Sequence, residues 1–246
     1  SCFLTIYVLG SSVSHAPHPH PSRPLSLLIF LGSVRQSSPP APARLGTRVT
    51  AACQRLLVEQ GVAAEVIDPL DVPLDPVFKP HFAYASGRAP DALESLAQKI
   101  QAADGYVMVS PEYNHAMSPA LANLLNHFGS SLFAYKPSAI VTYSAGQWGG
   151  ARAAVNMRTF LSELGCLPVS AMVHVPHAQD VLDEHGQYID QNKAAEWDGY
   201  FARTLDQLLW WCEAARAQRE QPASTTKQRP SAFKTSPAER DAPGNG

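Results

Sequence analysis

Between residues 25 and 218, short apolar runs alternate with stretches in which apolar side chains return every three or four positions. Leu25 to Leu31 is such a run and stops at Gly32-Ser33, which predicts a strand buried on both faces. Downstream of a proline-rich stretch, Leu45, Val49, Ala52, Cys53, Leu56 and Leu57 share one helical face, and Gly61 stands where that helix would stop. Ala64 to Ile67 reads as a second strand. After another proline-rich stretch, Asp91 and Glu94 form a capping-box pattern ahead of Leu93, Leu96, Ala97 and Ile100, predicting a second helix.

The alternation continues to the end of this window. Gly105 to Ser110 is a third strand, and Ser118-Pro119 opens a helix carrying Leu121, Leu124, Leu125 and Phe128. Ser138 to Tyr143 is a fourth strand, followed by glycines and a helix through Ala154, Met157, Leu161 and Leu164 that ends at Gly165. Leu167 to Val175 is a fifth strand. A last helix spaces Trp197, Tyr200, Phe201, Leu205, Leu208, Leu209 and Cys212 as a core stripe. Strands alternating with helices predict an α/β fold, a three-layer sandwich around a five-stranded parallel sheet. Periodicity leaves both doubly wound strand orders open.

Composition sets the limits of that domain. The chain has 21 prolines, many of them outside the alternating region. Residues 1–24 and 219–246 are polar, proline-rich or aperiodic, so a disordered leader and a disordered tail are expected to flank a domain at 25–218. His15, His18 and His20 lie among prolines in that leader without accompanying thiols or carboxylates, and no metal site is expected there. Lys and Arg number 19 against 21 Asp and Glu, a formal charge of −2, which supplies no basic field for nucleic acid. Cys2, Cys53, Cys166 and Cys212 are scattered, which disfavours a disulfide scaffold or a zinc module. The apolar segment 2–9 is too short to span a bilayer, so a cytoplasmic protein without a membrane partner is expected.

Ligands of doubly wound sheets bind beyond the carboxyl ends of the strands, which directs attention to three connections. In the first, Gly32-Ser33-Val34-Arg35, backbone amides, the Ser33 hydroxyl and the Arg35 guanidinium can converge on a terminal phosphate, or the segment is an ordinary strand-to-helix turn. Neither a Walker loop nor a Gly-x-Gly-x-x-Gly turn is present. The second, Pro111-Glu112-Tyr113-Asn114-His115, offers a proline-stiffened edge and one flat face, suited to a planar heterocycle such as flavin. The third, Ser144-Ala145-Gly146-Gln147-Trp148-Gly149-Gly150, lets backbone approach a ligand and places helix-start amides where negative charge is favoured.

Taken in order, Gly32-Ser33-Val34-Arg35, Pro111-Glu112-Tyr113-Asn114 and Ser144-x-Gly146-x-x-Gly149-Gly150 resemble the NADPH-dependent FMN reductase family of flavodoxin-like proteins. The resemblance covers roughly residues 25–217. It implies strand order 2-1-3-4-5, noncovalent FMN, NADPH or NADH as co-substrate, a small-molecule electron acceptor, and a homodimer or homotetramer. It also implies that Ser33 and Arg35 hold the cofactor phosphate, that Pro111, Glu112, Tyr113 and Asn114 run along the isoalloxazine, and that Ser144, Gly146, Gln147, Trp148, Gly149 and Gly150 lie at its pyrimidine side. No side chain is assigned a proton-transfer role, because the cofactor carries the chemistry. One departure stands out: residues 36–43 separate Arg35 from Arg44-Leu45-Gly46, an insertion into a normally compact loop. Arg44 and Arg48 either replace or supplement the phosphate contacts, or face solvent. Two rivals stay open, a flavodoxin-like electron carrier with a protein partner and a non-catalytic relative that binds FMN poorly.

Overall fold

Successive side chains of a strand point to opposite faces, and here both faces of the sheet find cover. In the computed structural model, which describes residues 23–37 and 44–220, β1 (Ser26–Leu31) sends Leu27 and Ile29 into one apolar cluster and Leu28 and Phe30 into another. The first cluster is closed by α1 (Leu45–Glu59) and α7 (Ala194–Arg219), through residues such as Val49, Leu57, Phe201 and Leu208. The second is closed by α2 (Asp91–Ala102), α3 (Pro119–Asn126) and α5 (Ala151–Glu163), through Leu96, Ile100, Leu124 and Met157. Burial of each such side chain favours folding by about 1.5–3 kcal/mol, and this two-sided cover is why the strands read as apolar runs.

β1 pairs in parallel with β2 (Ala63–Ile67) and with β3 (Gly105–Tyr113). β3 pairs with β5 (Lys136–Tyr143), and β5 with β6 (Cys166–Val175), so the parallel path runs β2-β1-β3-β5-β6. This is the expected flavodoxin-like order of five parallel strands, with one addition. β3 continues three residues past Ser110 and turns back on itself as β4 (Ala116–Met117), an antiparallel sixth strand. Asn114 and His115, at φ 49° and 62°, form the two-residue turn of this hairpin. Pro111 to Tyr113 are therefore strand and not loop.

The helix signals divide. Ser118 caps α3, its Oγ accepting from Leu121 N–H at 3.1 Å with Pro119 in the first turn. Gly61, at φ 77°, closes the turn after α1 as expected. The capping box at α2 does not form: Pro90 occupies the N-cap, and Glu94 instead meets His81 Nε2 at 2.9 Å. The outer edge of β6 is occupied by side chains, with Arg158 donating to Val169 O and Ser170 O, Gln207 accepting from Ala171 N–H and Tyr200 Oη from His174 N–H. Such cover keeps an edge strand from pairing with another chain. Two short helices, α4 (Ser130–Phe133) and α6 (Ala178–Val181), complete the fold.

At the domain ends, Arg23 donates to Asp104, and Arg216 near the end of α7 donates to Arg23 O and Pro24 O. Residues 1–22 with the leader histidines and Cys2, residues 38–43 of the insertion, and residues 221–246 lie outside the described residues. Cys53, Cys166 and Cys212 are buried free thiols. No described helix is long and apolar enough to cross a membrane, and no three His, Cys, Asp or Glu side chains among the described residues gather as a metal site.

Candidate flavin site at the carboxyl end of the sheet

The three predicted segments meet because β1, β3 and β5 are neighbours whose carboxyl ends lie side by side. They border one cleft of about 220 Å³, lined by Ser33, Arg35, Ser37 and Arg44 on one side and by Pro111 to Tyr113 and Tyr143 to Ala145 on the other. The first wall depends on close packing. Gly32 donates to Val109 O at 2.7 Å, and a Cβ there would lie 2.5 Å from that oxygen. Gly46, in the first turn of α1, would meet Tyr143 Oη at 2.5 Å, so only glycine lets the helix start sit against β5. The N–H groups of such a first turn lack intrahelical acceptors and favour an anion.

Ser33 is buried; its Oγ accepts from Arg35 N–H at 3.4 Å and hydrogen-bonds Tyr143, whose hydroxyl pKa is pushed up by burial. The Arg35 side chain reaches Ser37 Oγ at 3.2 Å. Arg44, only 11% exposed, donates to both carboxylate oxygens of Asp68, at 2.6 and 2.8 Å, and to Ser33 O. Its Nε–H is buried with no acceptor among the described residues. Two hydroxyls, two guanidiniums and an unsatisfied buried donor fit a phosphate monoester, whose oxygens accept without donating. Arg48 neither supplements this set nor faces solvent; it is buried and donates to Leu182 O at 2.8 Å.

On the opposite wall, Pro111 pairs with Tyr143 in the sheet and Tyr113 is exposed at the cleft. The Glu112 side chain, 15% exposed, accepts weakly from Ala153 N–H at the start of α5 and lies 3.7 Å from Arg152. Asn114 sits at the hairpin turn, outside the cleft lining. Ser144 organises the third segment: its Oγ donates to Gly146 O at 2.7 Å and accepts from Gly149 N–H at 3.0 Å. Gly149 and Gly150 have φ of 57° and 77° and pack against β6 and Thr142, so the fold alone requires them. Gly146 has open space around it, leaving backbone accessible to a ligand. Gln147 and Trp148 are exposed, and the Arg152 guanidinium stacks 5.0 Å from the Trp148 ring centre.

The cleft thus gathers Ser33, Arg35, Pro111, Glu112, Tyr113 and Ser144, with Gly146, Gln147, Trp148, Gly149 and Gly150 in the segment that leaves it. It adds Ser37 and Tyr143 and, of the two arginines left open in the sequence, takes in Arg44 with its partner Asp68. Nothing in the sequence around Asp68, which stands between a strand and a proline-rich stretch, points to that pairing; the one signal is an arginine directly before the helix pattern.

The sequence profile of NADPH-dependent FMN reductase matches residues 25–180. An NAD(P)H-dependent FMN reductase of Pseudomonas aeruginosa is 34% identical over 179 residues, 70% of this chain and 92% of that protein. A quinone reductase of Escherichia coli is 35% identical over 107 residues, 42% of this chain and 57% of its own length. Among solved structures, the flavoenzyme NAD(P)H:(acceptor) oxidoreductase FerB of Paracoccus denitrificans superposes with a TM-score of 0.58 at 22% identity, over 78% of this chain and 98% of FerB, and shares its fold. The chain belongs to the NADPH-dependent FMN reductase family, oxidoreductases that pair FMN with NAD(P)H as the electron donor.

Proposed function

We propose that the protein is an NAD(P)H-dependent reductase of small acceptors, with FMN seated in the carboxyl-end cleft. The convergence of the three segments on that cleft, with Arg44, whose buried Nε–H lacks an acceptor among the described residues, in its lining, is the observation that carries this reading. FMN bound there would supply the two-electron redox chemistry that couples oxidation of NAD(P)H to reduction of a quinone, a flavin or a similar acceptor, in ping-pong order. Ser33, Ser37, Arg35 and Arg44 hold the phosphate beside the start of α1. Pro111 to Tyr113 form a stiff wall, because Pro111 pairs with β5 and Glu112 and Tyr113 pair with β4. Ser144 fixes the backbone of Ala145 and Gly146 beside the ring's polar edge, where amide donors favour negative charge.

The exposed Trp148 and the Arg152 above it offer a flat face and a cation to the second substrate. An open shelf of this kind accepts varied planar molecules and selects weakly among them. A homodimer or homotetramer is the assembly we propose, supported by the exposed Val77, Phe78 and Phe82. The function is tested by loading the protein with FMN, removing the excess by gel filtration and adding NADPH without oxygen. A retained visible band that bleaches, and returns on adding a quinone, is expected. A retained band that NADPH leaves intact refutes the reductase in favour of an electron carrier, and loss of the band on the column refutes the cleft as a flavin site.

A further inference from the structure

We propose that Asp68, at the end of β2 and outside all three segments, is a positioning residue that holds Arg44 as a second cation for the cofactor phosphate. This rests on the reading of the cleft as an FMN site.

Arg44 is the residue just before α1, in a left-handed backbone conformation at φ 70°, and its side chain makes no capping hydrogen bond to the helix it precedes. Two partners fix that side chain from elsewhere. Asp68 takes NH1 and NH2 in a two-pronged bond, and Ser33 O takes a further proton from NH2. A guanidinium has five N–H donors in a rigid plane, so these bonds fix the whole group and leave Nε–H and the second NH1 proton. The Nε–H is the buried, unsatisfied donor in a residue that lines the cleft. Leaving such a donor empty is costly, and an anionic oxygen in the cleft satisfies it.

Asp68 is itself held. It lies beyond Ile67, the last residue of β2, and its Oδ1 accepts from Leu70 N–H at 2.9 Å at the head of a 3-10 turn over Pro69–Asp71. Burial would raise its carboxyl pKa, but the Arg44 bonds and the Leu70 N–H outweigh burial and hold it below the usual carboxylate range. It is therefore a carboxylate at neutral pH. β2 packs beside β1, so the end of one strand braces the phosphate cradle at the end of the next.

The sign of one substitution separates this role from simple electrostatics. Asp68→Asn removes a negative charge close to a phosphate dianion; if charge alone mattered, FMN would bind more tightly. If Asp68 positions Arg44, FMN binds more weakly although a repulsive charge has gone. Asparagine keeps the acceptor for Leu70 N–H, so the 3-10 turn is spared. The full chain freed of flavin is titrated with FMN and with riboflavin, which lacks the phosphate, following flavin fluorescence. For Asp68→Asn the FMN constant weakens by about tenfold, as expected for loss of one charge-assisted hydrogen bond, with riboflavin unchanged. Arg44→Lys, which keeps the charge but loses the planar fork, gives the same split. Unchanged or tighter FMN binding by Asp68→Asn overturns the proposal, as does an equal loss for both flavins. Arg35→Ala is the control on the underlying reading: if it too leaves FMN affinity unchanged, and the parent protein binds FMN no better than riboflavin, the phosphate site itself is wrong.

Discussion

The two ends of the parallel sheet use charge in opposite ways. At the amino end, Asp104 just before β3 is 1% exposed and receives Arg23, Arg216, Arg219 and the N–H of Ser26. Beside it the buried Lys136, first residue of β5, donates to Ile100 O, Gln101 O and Leu132 O. Together these groups tie the chain's entry into β1, the end of α2 and the end of α7. At the carboxyl end, Arg35, Arg44 and Glu112 border an open cleft, and Arg44 retains a buried donor without an acceptor among the described residues. Satisfied charges fix one end; at the other, charged side chains line an open cleft. The same fold can be rigid and receptive because the two tasks lie a strand's length apart.

The sharpest way to break this contrast is at the amino end. Asp104→Ala strips the carboxylate, though not the carbonyl acceptors, from Arg216, 3% exposed, and Arg219, 15% exposed. Removing one side of a buried ionic cluster leaves uncompensated charge, and a loss of about 3–5 kcal/mol is expected in a urea unfolding titration. The fraction that remains folded keeps its FMN affinity, since no residue of the cleft touches Asp104. A loss of affinity equal to the loss of stability would show that the two ends are one unit.

The complementary substitution is Arg35→Ala. It is expected to weaken FMN binding by about 10–100-fold, the worth of a charge-assisted hydrogen bond, while the unfolding midpoint of the flavin-free protein barely moves. Fluorescence titration and urea unfolding on one preparation decide it. A large fall in stability with intact FMN binding would reverse the roles assigned to the two ends.

Between these lies a local test of the hairpin side of the cleft. Ser118 N–H donates to Ser110 Oγ at 2.9 Å, and Ser118 Oγ caps α3, so this serine joins β3, where it enters the cleft wall, to the helix behind. Ser118→Ala costs about 1 kcal/mol, the usual worth of a helix cap. It leaves the backbone bond to Ser110 in place, so FMN affinity stays as it was; an affinity change would show that the cap also sets the wall.

What could be read from the sequence also differs between the ends. Gly32-Ser33, Pro111 and Ser144 to Gly150 carry the local chemistry of turns and close approach, and a parallel sheet brings its strand ends together, so the cleft was legible before the structure. The β3–β4 hairpin was hidden because Pro111 reads as the end of a strand and Asn114-His115 lacks the glycine of the strongest hairpin turns. The α2 capping box misled because Glu94 is taken by His81, a residue 13 positions away. Nothing local marks Arg23, Asp104, Arg216 and Arg219 as one cluster, or Asp68 as the partner of Arg44, since those pairings exist only once the strands are stacked.

The smallest expected effect is a slope and not a loss. Burial pulls the Lys136 ammonium down from 10.5 to about 7, with Arg219 pushing the same way and Asp104 opposing. An unfolded lysine keeps its proton to about pH 10, so above pH 7 the unfolded chain holds more protons than the folded one. Stability therefore rises with pH from about 7 upward, and below 7 this group adds no slope. The buried thiols Cys53, Cys166 and Cys212, pushed up to about 12 by burial, weigh the other way once an unfolded thiol ionises. The clean window is thus narrow, from pH 7 to about 8, below the ordinary thiol range. Urea midpoints measured across that window are expected to rise in the parent protein and to stay flat in Lys136→Met. A rise of the same size in the methionine variant would mean that the three carbonyls around Nζ keep the lysine charged, and that the amino end holds its charges as firmly against protons as against water.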